Sequence, residues 1–191
     1  MATRLVYGVG INDMPLGSCS ERTGSKNIPY IWYRAWNGML RRCYDPKFLR
    51  KWPTYEGCSV ASEWHRLSIF KGWFDANYQD GFHLDKDILV PGNKVYSSDT
   101  CCLVPPRINT LITNQKPQNT GVHYIVDGGG YIARTSRNGS PFYAGYYATK
   151  DEAAVAYKEV KRAVVKEVAI AAFLANEIKS DVYLALVRRE F

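Results

Sequence analysis

The sequence predicts an α+β protein, with N-terminal helices and a β-hairpin followed by a three-stranded antiparallel sheet packed on one long helix. Three observations predict it. Apolar residues recur at helical spacing in the first half, and a stretch broken by Gly and Pro follows over 81–109. Alternating strands with tight turns then precede a long helical pattern. Because the chain has 191 residues, 46% of them hydrophobic, it can hold one medium domain or two small ones.

Four segments are expected along the chain. Residues 1–28 are rich in Gly, Ser and Asn and predict an irregular N-terminal arm. Residues 29–113 form a first module and residues 121–191 a second. The polar stretch 114–120 has no periodicity, which is typical of a linker.

The first module is expected to open with a helix, because Pro29 suits a first helical position. The helix would bury one apolar face, made of Trp32, Trp36, Met39, Leu40 and Cys43. A second helix is expected over 61–78, with a core stripe of Trp64, Leu67, Phe70 and Phe74.

The rest of the first module is expected to be a hairpin and a short helix. The apolar pieces 87–90 and 100–104 flank the turn 91–93, which predicts the hairpin. A short helix should begin near Ile108.

The second module predicts three strands, over 122–126, 131–137 and 141–147. Asn138-Gly139 is a strong hairpin turn signal between the last two strands. Thr149 and Glu152 have the spacing of a capping box, so a helix should begin there and run to about residue 175. A shorter segment, 182–187, would pack on its end.

The charge is strongly positive and uneven. The formal net charge is +7 with a pI of about 9.1, which favours a polyanionic partner. Residues 22–51 hold eight Lys and Arg against only Asp45. Aromatic residues interleave with these charges, which favours nucleic acid, although an ordinary solvated basic surface is the alternative. The phosphate-contacting candidates are Arg41, Arg42, Arg50 and Lys51.

The location expected from the sequence is the cytoplasm. The N-terminus lacks the apolar core of a signal peptide, and no apolar run has the length of a membrane span. Five scattered cysteines, an odd number, disfavour a disulfide framework. A zinc site is also disfavoured, because no Cys-x-x-Cys pair occurs and buried apolar thiols explain the cysteines better.

The run Thr149-x-x-Glu152-Ala153-Ala154-x-Ala156-Tyr157 follows a Gly- and Tyr-rich strand. With it, residues 121–162 resemble the ethylene-response-factor (Apetala) type of DNA-binding domain, in the form found in phage and mobile-element proteins. The resemblance implies that the sheet enters the major groove of double-stranded DNA and the helix supports it from behind. The side chains that would contact DNA are His123, Arg134, Ser136, Arg137 and Tyr143. A scaffold role for the sheet, with its tyrosines in a core or a protein interface, is the alternative.

The pattern Leu84-Asp85-Lys86-Asp87, with Asn93 and Asn109 downstream, lies in a span that resembles HNH-type (ββα-metal) endonucleases of phages, over residues 30–112. The resemblance implies a divalent cation, Mg²⁺ or Mn²⁺, held by Asp85, Asp87 and Asn109. It also makes His83, Asp85, Lys86 and Asn109 the catalytic candidates. Lys86 stands where the family has its general-base His, and Thr100 where it has the hairpin Asn. His83 could supply the base instead.

Other roles stay open for the same residues. Asp85 and Asp87 could form salt bridges with Lys86, Lys94 or Arg107, and Asn109 could cap a helix. Three functions therefore remain: a homing-type nicking endonuclease, a catalytically degenerate DNA-binding regulator, and a phage protein that binds and inhibits a host or rival protein through aromatic residues.

Overall fold

The structure, a computed structural model, describes residues 5–113, 121–137 and 139–191. The predicted linker 114–120 and the turn residue Asn138 lie outside the described residues. Within them the chain is α+β. The helices are α1 (Ile31–Tyr44), α2 (Pro46–Lys51), α3 (Leu67–Asn77), α4 (Pro106–Thr113), α5 (Lys150–Leu174) and α6 (Ser180–Val187). The strands are β1 (Ser20–Thr23), β2 (Lys26–Pro29), β3 (Ser59–Val60), β4 (His83–Asp85), β5 (Val95–Tyr96), β6 (Cys102–Val104), β7 (Val122–Ile125), β8 (Gly130–Arg137) and β9 (Ser140–Tyr147).

The chain divides into two compact units. The first unit spans Met1–Asp80 and Leu84–Leu103, and the second spans Gly81–His83 and Val104–Phe191. Helix α4 therefore belongs to the second unit, together with the sheet of β7, β8 and β9. The sequence had grouped α4 with the first module.

The core of the first unit forms around α1. All five apolar residues predicted on one face of this helix are buried, which confirms that face. The Trp36 indole donates a hydrogen bond of 2.8 Å to the Trp64 carbonyl, so the largest buried side chain is satisfied as well as packed. Helix α1 begins at Ile31 rather than at Pro29, because Pro29 ends strand β2.

The second predicted helix is interrupted. A 3-10 turn over Ser62–His65 comes first, Arg66 is extended with ψ of 123°, and α3 follows. The predicted core stripe is nevertheless buried, because both pieces turn the same apolar residues inward.

The predicted hairpin over 87–90 and 100–104 is wrong in its first strand, since residues 87–90 form no strand. Strand β6 pairs instead with β4, and β5 runs parallel to β3 with Ser59 opposite Val95. The prediction was wrong because β6 pairs with β4 and not with residues 87–90. Helix α4 begins two residues after β6, so the order along the chain is β4, β5, β6, α4.

The N-terminal arm is more ordered than the prediction of an irregular segment. Strands β1 and β2 form an antiparallel hairpin. Before them, Ile11 bridges to Arg66, and the Asp13 carboxylate accepts hydrogen bonds from the Ser68 amide (2.9 Å) and hydroxyl (2.6 Å) at the start of α3. The arm thus supplies the N-terminal cap that α3 lacks in its own sequence.

In the second unit, the predicted three-stranded antiparallel sheet and long helix are confirmed. The strand order is β7-β8-β9, and the capping box of Thr149 and Glu152 opens α5. Gly121 has φ of +67°, and a Cβ there would overlap the Tyr157 ring, so only glycine lets the chain pass α5 before β7. The Phe173 and Tyr183 rings stack at 4.8 Å and join α6 to α5.

Within the described residues, no helix is both long and apolar enough to cross a membrane.

Candidate nucleic-acid interface and the Asp85–Asp87 turn

The sheet of the second unit has one face against α5 and one face open. Ala133 is completely buried and lies on the α5 side, so alternation places Ile132, Arg134 and Ser136 on the other side. Register then adds His123, opposite Ile132, and Tyr143, opposite Arg134. These five residues, with Tyr146, are called the open sheet face below. Four of the five predicted DNA-contacting side chains are thereby brought together.

A β-bulge between Ala133 and Arg134 decides which tyrosines belong to the open sheet face. Ala133 is opposite Gly145 and Arg134 is opposite Tyr143, so β9 contains one extra residue, Ala144. Tyr143 and Tyr146 are three residues apart and would point to opposite sides of a regular strand. The extra residue brings both to the open side, where they are 62% and 55% exposed.

The Tyr146 ring is held in position by the turn between β7 and β8. Its hydroxyl donates a hydrogen bond to the Gly128 carbonyl, and its hydroxyl and ring lie where a Cβ of Gly130 would be. Sequence reasoning did not select Tyr146. The glycines at 128, 130 and 145 were the signal that could have found it, because each leaves room for a tyrosine ring or for the bulge.

Two polar side chains complete the open sheet face. Burial and the neighbouring Arg134 guanidinium lower the pKa of His123, so its imidazole is neutral at physiological pH. His123 can then exchange hydrogen bonds, while Arg134 supplies positive charge. No Asp or Glu occurs in β7, β8 or β9, so nothing on these strands opposes a phosphate.

Arg137, the fifth predicted DNA-contacting residue, lies on the α5 side of the sheet. Its Nε and a terminal nitrogen donate to the Glu167 carboxylate at 3.1 and 2.5 Å, and its guanidinium carbon lies 5.6 Å from the Phe142 ring centroid. These contacts explain Arg137 as a tie between β8 and α5, so the open sheet face does not include it.

The predicted basic residues of the first unit fall into two groups. Arg50 and Lys51 are exposed in the last turn of α2. Arg41 is exposed too, with a weak 3.6 Å ion pair to Asp45. Arg42 is different, because its Nε donates to the Tyr96 hydroxyl at 3.1 Å and its charge lies over two tyrosine rings. Arg42 therefore supports the core, and the other three remain available to a partner.

Asp85, the predicted metal ligand and catalytic acid, is 6% exposed and closes a turn. Its Oδ1 accepts the backbone amides of Asp87 and Ile88, both at 2.7 Å. Burial raises the pKa of Asp85, although the two amides act in the opposite direction. The Asp85 carboxylate thus stabilises a turn by accepting backbone amides, as Asp side chains commonly do.

Lys86 is 8% exposed, and groups of its own loop accept the hydrogen bonds of its ammonium. Its ammonium contacts both Asp87 carboxylate oxygens, at 2.7 and 2.9 Å, and the Asn93 carbonyl at 2.5 Å. The Asn93 amide donates in turn to the carbonyls of Lys86 and Val95. Lys86 and Asn93 therefore clamp the loop 86–95, and the sequence-based alternative of a Lys86 salt bridge is confirmed for Asp87.

The other members of the predicted nuclease site are not gathered in the first unit. His83 is exposed and belongs to the second unit, as does Asn109 on α4. Thr100 belongs to the first unit, where its hydroxyl donates to the Val95 carbonyl at 2.7 Å and contacts the Ser97 hydroxyl at 2.9 Å.

The fit of a divalent cation to these residues is poor. Such an ion needs several hard oxygen ligands at one point, yet the Asp87 carboxylate is paired with an ammonium and one Asp85 oxygen with two amides. Over the described residues, no three His, Cys, Asp or Glu side chains are grouped so that they could hold a metal. Burial also raises the pKa of Cys43 and of Cys101 to about 12, which keeps both thiols protonated.

Comparison of this chain with protein-family models, with curated proteins and with solved structures finds no match in any of the three.

Proposed function

We propose that this protein binds double-stranded DNA through the open sheet face, as a DNA-binding regulator of the kind encoded by phages or mobile elements. The observation that supports the proposal best is the common orientation of His123, Arg134, Ser136 and Tyr143 on one face of an antiparallel sheet. An antiparallel ribbon fits the wide major groove of B-form DNA, where base edges can be reached from one face of a sheet.

The chemistry of the open sheet face suits DNA. Arg134 can bind a phosphate or the acceptor edge of a guanine, and Ser136 can donate to or accept from either. Tyr143 and Tyr146 offer exposed rings beside hydroxyl groups. Because these strands contain no acid, the charge of the backbone phosphates meets only positive or neutral groups there.

The first unit offers a separate basic surface. Arg41, Arg50 and Lys51 are exposed at the ends of α1 and α2, with Asp45 as the acid between the two helices. Such side chains contribute sequence-independent affinity through phosphate contacts. In this protein, Arg41, Arg50 and Lys51 would add non-specific affinity for DNA.

DNA cleavage is the second candidate function. The pairing of β4 with β6, with α4 after them, favours it, because an HNH module has two paired strands followed by a helix; in this chain β5 lies between the two strands. It has less support than binding alone, since Asp85 and Lys86 are already hydrogen-bonded to groups of their own loop. No metal-dependent step is assigned to these residues.

A gel-shift titration with a duplex of mixed sequence tests the binding proposal. Arg134→Ala and Tyr143→Ala should each weaken binding by about tenfold, in line with about 1–3 kcal/mol for a direct contact. Arg162→Ala is the matched control, because Arg162 is exposed on α5 behind the sheet. Equal loss in the control, or no loss in either sheet variant, would contradict the proposal.

A plasmid assay with Mg²⁺ or Mn²⁺ separates binding from cleavage. The expected result is supercoiled plasmid that is bound and left intact. Nicking by the wild type that is lost in Asp85→Asn, a variant able to keep the turn contacts, would establish the endonuclease instead. A stoichiometric protein partner recovered from host lysate, with no DNA binding at low salt, would favour the protein-inhibitor function.

A further inference from the structure

A cavity of about 640 Å³ lies within the second unit. It is bounded by α4, by the start of β7, by the end of β8 and by α5, and its size is within the range of small-molecule sites. Apolar groups form part of its wall, from Pro106, Leu111, Tyr157 and Val168. The charged or titratable residues that line it are Arg107, His123, Arg134, Tyr157 and Lys161, and no Asp or Glu lines it among the described residues.

Lys161 is the unusual member of this group. Its side chain is buried, with 5% of the residue exposed, and its ammonium makes a hydrogen bond of 2.8 Å to the Leu111 carbonyl. Over the described residues, no carboxylate lies within salt-bridge distance of it. An ammonium has three N–H donors, so one carbonyl leaves hydrogen-bonding capacity that a ligand can use.

Lys86 has a counter-ion that Lys161 lacks. Lys86 is also buried, with 8% of the residue exposed, but the two Asp87 carboxylate oxygens lie 2.7 and 2.9 Å from its ammonium. A buried charge without a counter-ion is costly, and a bound anion would offset that cost. Arg107 is already paired with Glu177. Lys161 is therefore the buried cation of the cavity, and it has no acidic partner among the described residues.

We propose that this cavity binds a phosphate monoester, with the Lys161 ammonium holding the phosphate and the apolar wall covering the organic part. His123, Arg134 and Ser136 also line the cavity, which therefore shares these three residues with the open sheet face. Lys161 is not part of the open sheet face, so binding of the ester can be measured separately from binding of DNA. The cavity would give the second unit a small-molecule ligand of its own.

The experiment uses the full chain and phenyl phosphate as the probe, with phenol and inorganic phosphate as reference ligands at matched ionic strength. Titration calorimetry and the midpoint of thermal unfolding are measured for each. Phenyl phosphate should bind and raise the midpoint, and phenol should do neither. Inorganic phosphate should bind more weakly than the ester. Binding of phenol as tight as that of the ester, or no binding of the ester, would overturn the proposal.

Variants then assign the binding to Lys161. Lys161→Met keeps the length of the side chain and removes its charge, so the dissociation constant for phenyl phosphate should rise about tenfold or more. Lys158→Met, at an exposed lysine on the same helix, is the matched control and should bind like the wild type.

A second variant covers the case in which Lys161→Met does not fold. Thr110→Glu adds a carboxylate at an exposed residue of the cavity wall and should weaken the binding of the ester through charge repulsion. Binding of wild-type strength in a folded Lys161→Met protein, or in Thr110→Glu, would exclude the assigned site.

Discussion

Asp85, Lys86 and Lys161 are the charged side chains buried among the described residues, and each has different partners. Asp85 accepts two backbone amides, Lys86 is paired with Asp87, and Lys161 contacts one carbonyl. The sequence identified Asp85 and Lys86 as polar residues of interest and offered a Lys86 salt bridge as one alternative, but it did not predict that Asp85 accepts the backbone amides of its own loop. Lys161 gave no signal, because a lysine in an amphipathic helix is ordinarily exposed.

Asp85 should be required for stability through its oxygen rather than its charge. Asp85→Ala would leave the amides of Asp87 and Ile88 without their acceptor and should lower the free energy of unfolding by about 2 kcal/mol or more. Asp85→Asn keeps an acceptor oxygen and should be at least as stable as the wild type at neutral pH. The reason is that burial raises the pKa of Asp85, so ionising it in the folded state costs free energy.

Urea denaturation of both variants from about pH 4 to pH 7 measures this difference. The advantage of Asp85→Asn over the wild type should grow as the pH rises above 3.8, the ordinary pKa of the carboxyl. If Asn proves as destabilising as Ala, the turn contacts are not the role of this side chain.

Lys161 should make stability depend on alkaline pH in the absence of ligand. Burial lowers the pKa of Lys161 below its ordinary 10.5, so between the two values the unfolded chain binds more protons than the folded one. Stability contributed by this group therefore rises with pH across that window. Lys161→Met should remove the rise, which a comparison of unfolding free energies from neutral pH to about pH 10.5 measures. Parallel pH curves for wild type and variant would rule the effect out.

Helix starts show what local sequence can and cannot predict at the scale of elements. The capping box of α5 could be located from Thr149 and Glu152 alone, because both partners lie within four residues. The cap of α3 could not, because Asp13 comes from a segment more than fifty residues away in the chain. The same limit explains the hairpin error, since β5 pairs with β3, from which α3 and β4 separate it in the chain.

Removing the cap from the arm should destabilise α3. Asp13→Ala deletes the acceptor for the Ser68 amide and hydroxyl and should cost about 1 kcal/mol, the usual effect of losing an N-terminal cap. Asp13→Asn is the matched control, because it retains an acceptor oxygen and is a good cap residue. Chemical denaturation measures the loss, and hydrogen exchange in the first turn of α3 locates it. An Ala variant as stable as wild type would show that the arm does not cap the helix.

For the whole molecule, the sequence predicted the fold class and the second unit well and the candidate site only in part. The sheet and long helix of the second unit follow from alternation, tight turns and a capping box, which are all local signals. The site depends on burial and on partners that short patterns do not encode. Arg137 illustrates this, because the sequence grouped it with the DNA-contacting residues, whereas the structure pairs it with Glu167 on the helix side of β8.

The net charge of +7 should make DNA binding strongly dependent on salt. The logarithm of the binding constant should fall linearly with the logarithm of the salt concentration, from about 50 to 200 mM, as counterions are released. If Arg134 contacts a phosphate, Arg134→Ala should reduce the slope of this salt dependence by about one. If Arg134 contacts a base, the slope should stay unchanged and the preference for a DNA sequence should relax. Fluorescence anisotropy with labelled duplexes measures both. Binding that is insensitive to salt would contradict an interface with DNA phosphates.

The bulge in β9 also sets the phase of the strand. Side chains in a strand repeat with a period of two, and Ala144 shifts that repeat by one step between Tyr146 and Tyr143. Deleting Ala144 would leave Gly145 opposite Ala133 and Tyr143 opposite Arg134, so that Tyr143 would stay outward on a regular strand. If Ala144 were kept and paired with Arg134 instead of bulging, Tyr143 would turn inward and Phe142 outward. The bulge is therefore what keeps a phenol, rather than a bare ring, on the outward side while the strand carries one residue more than its partner.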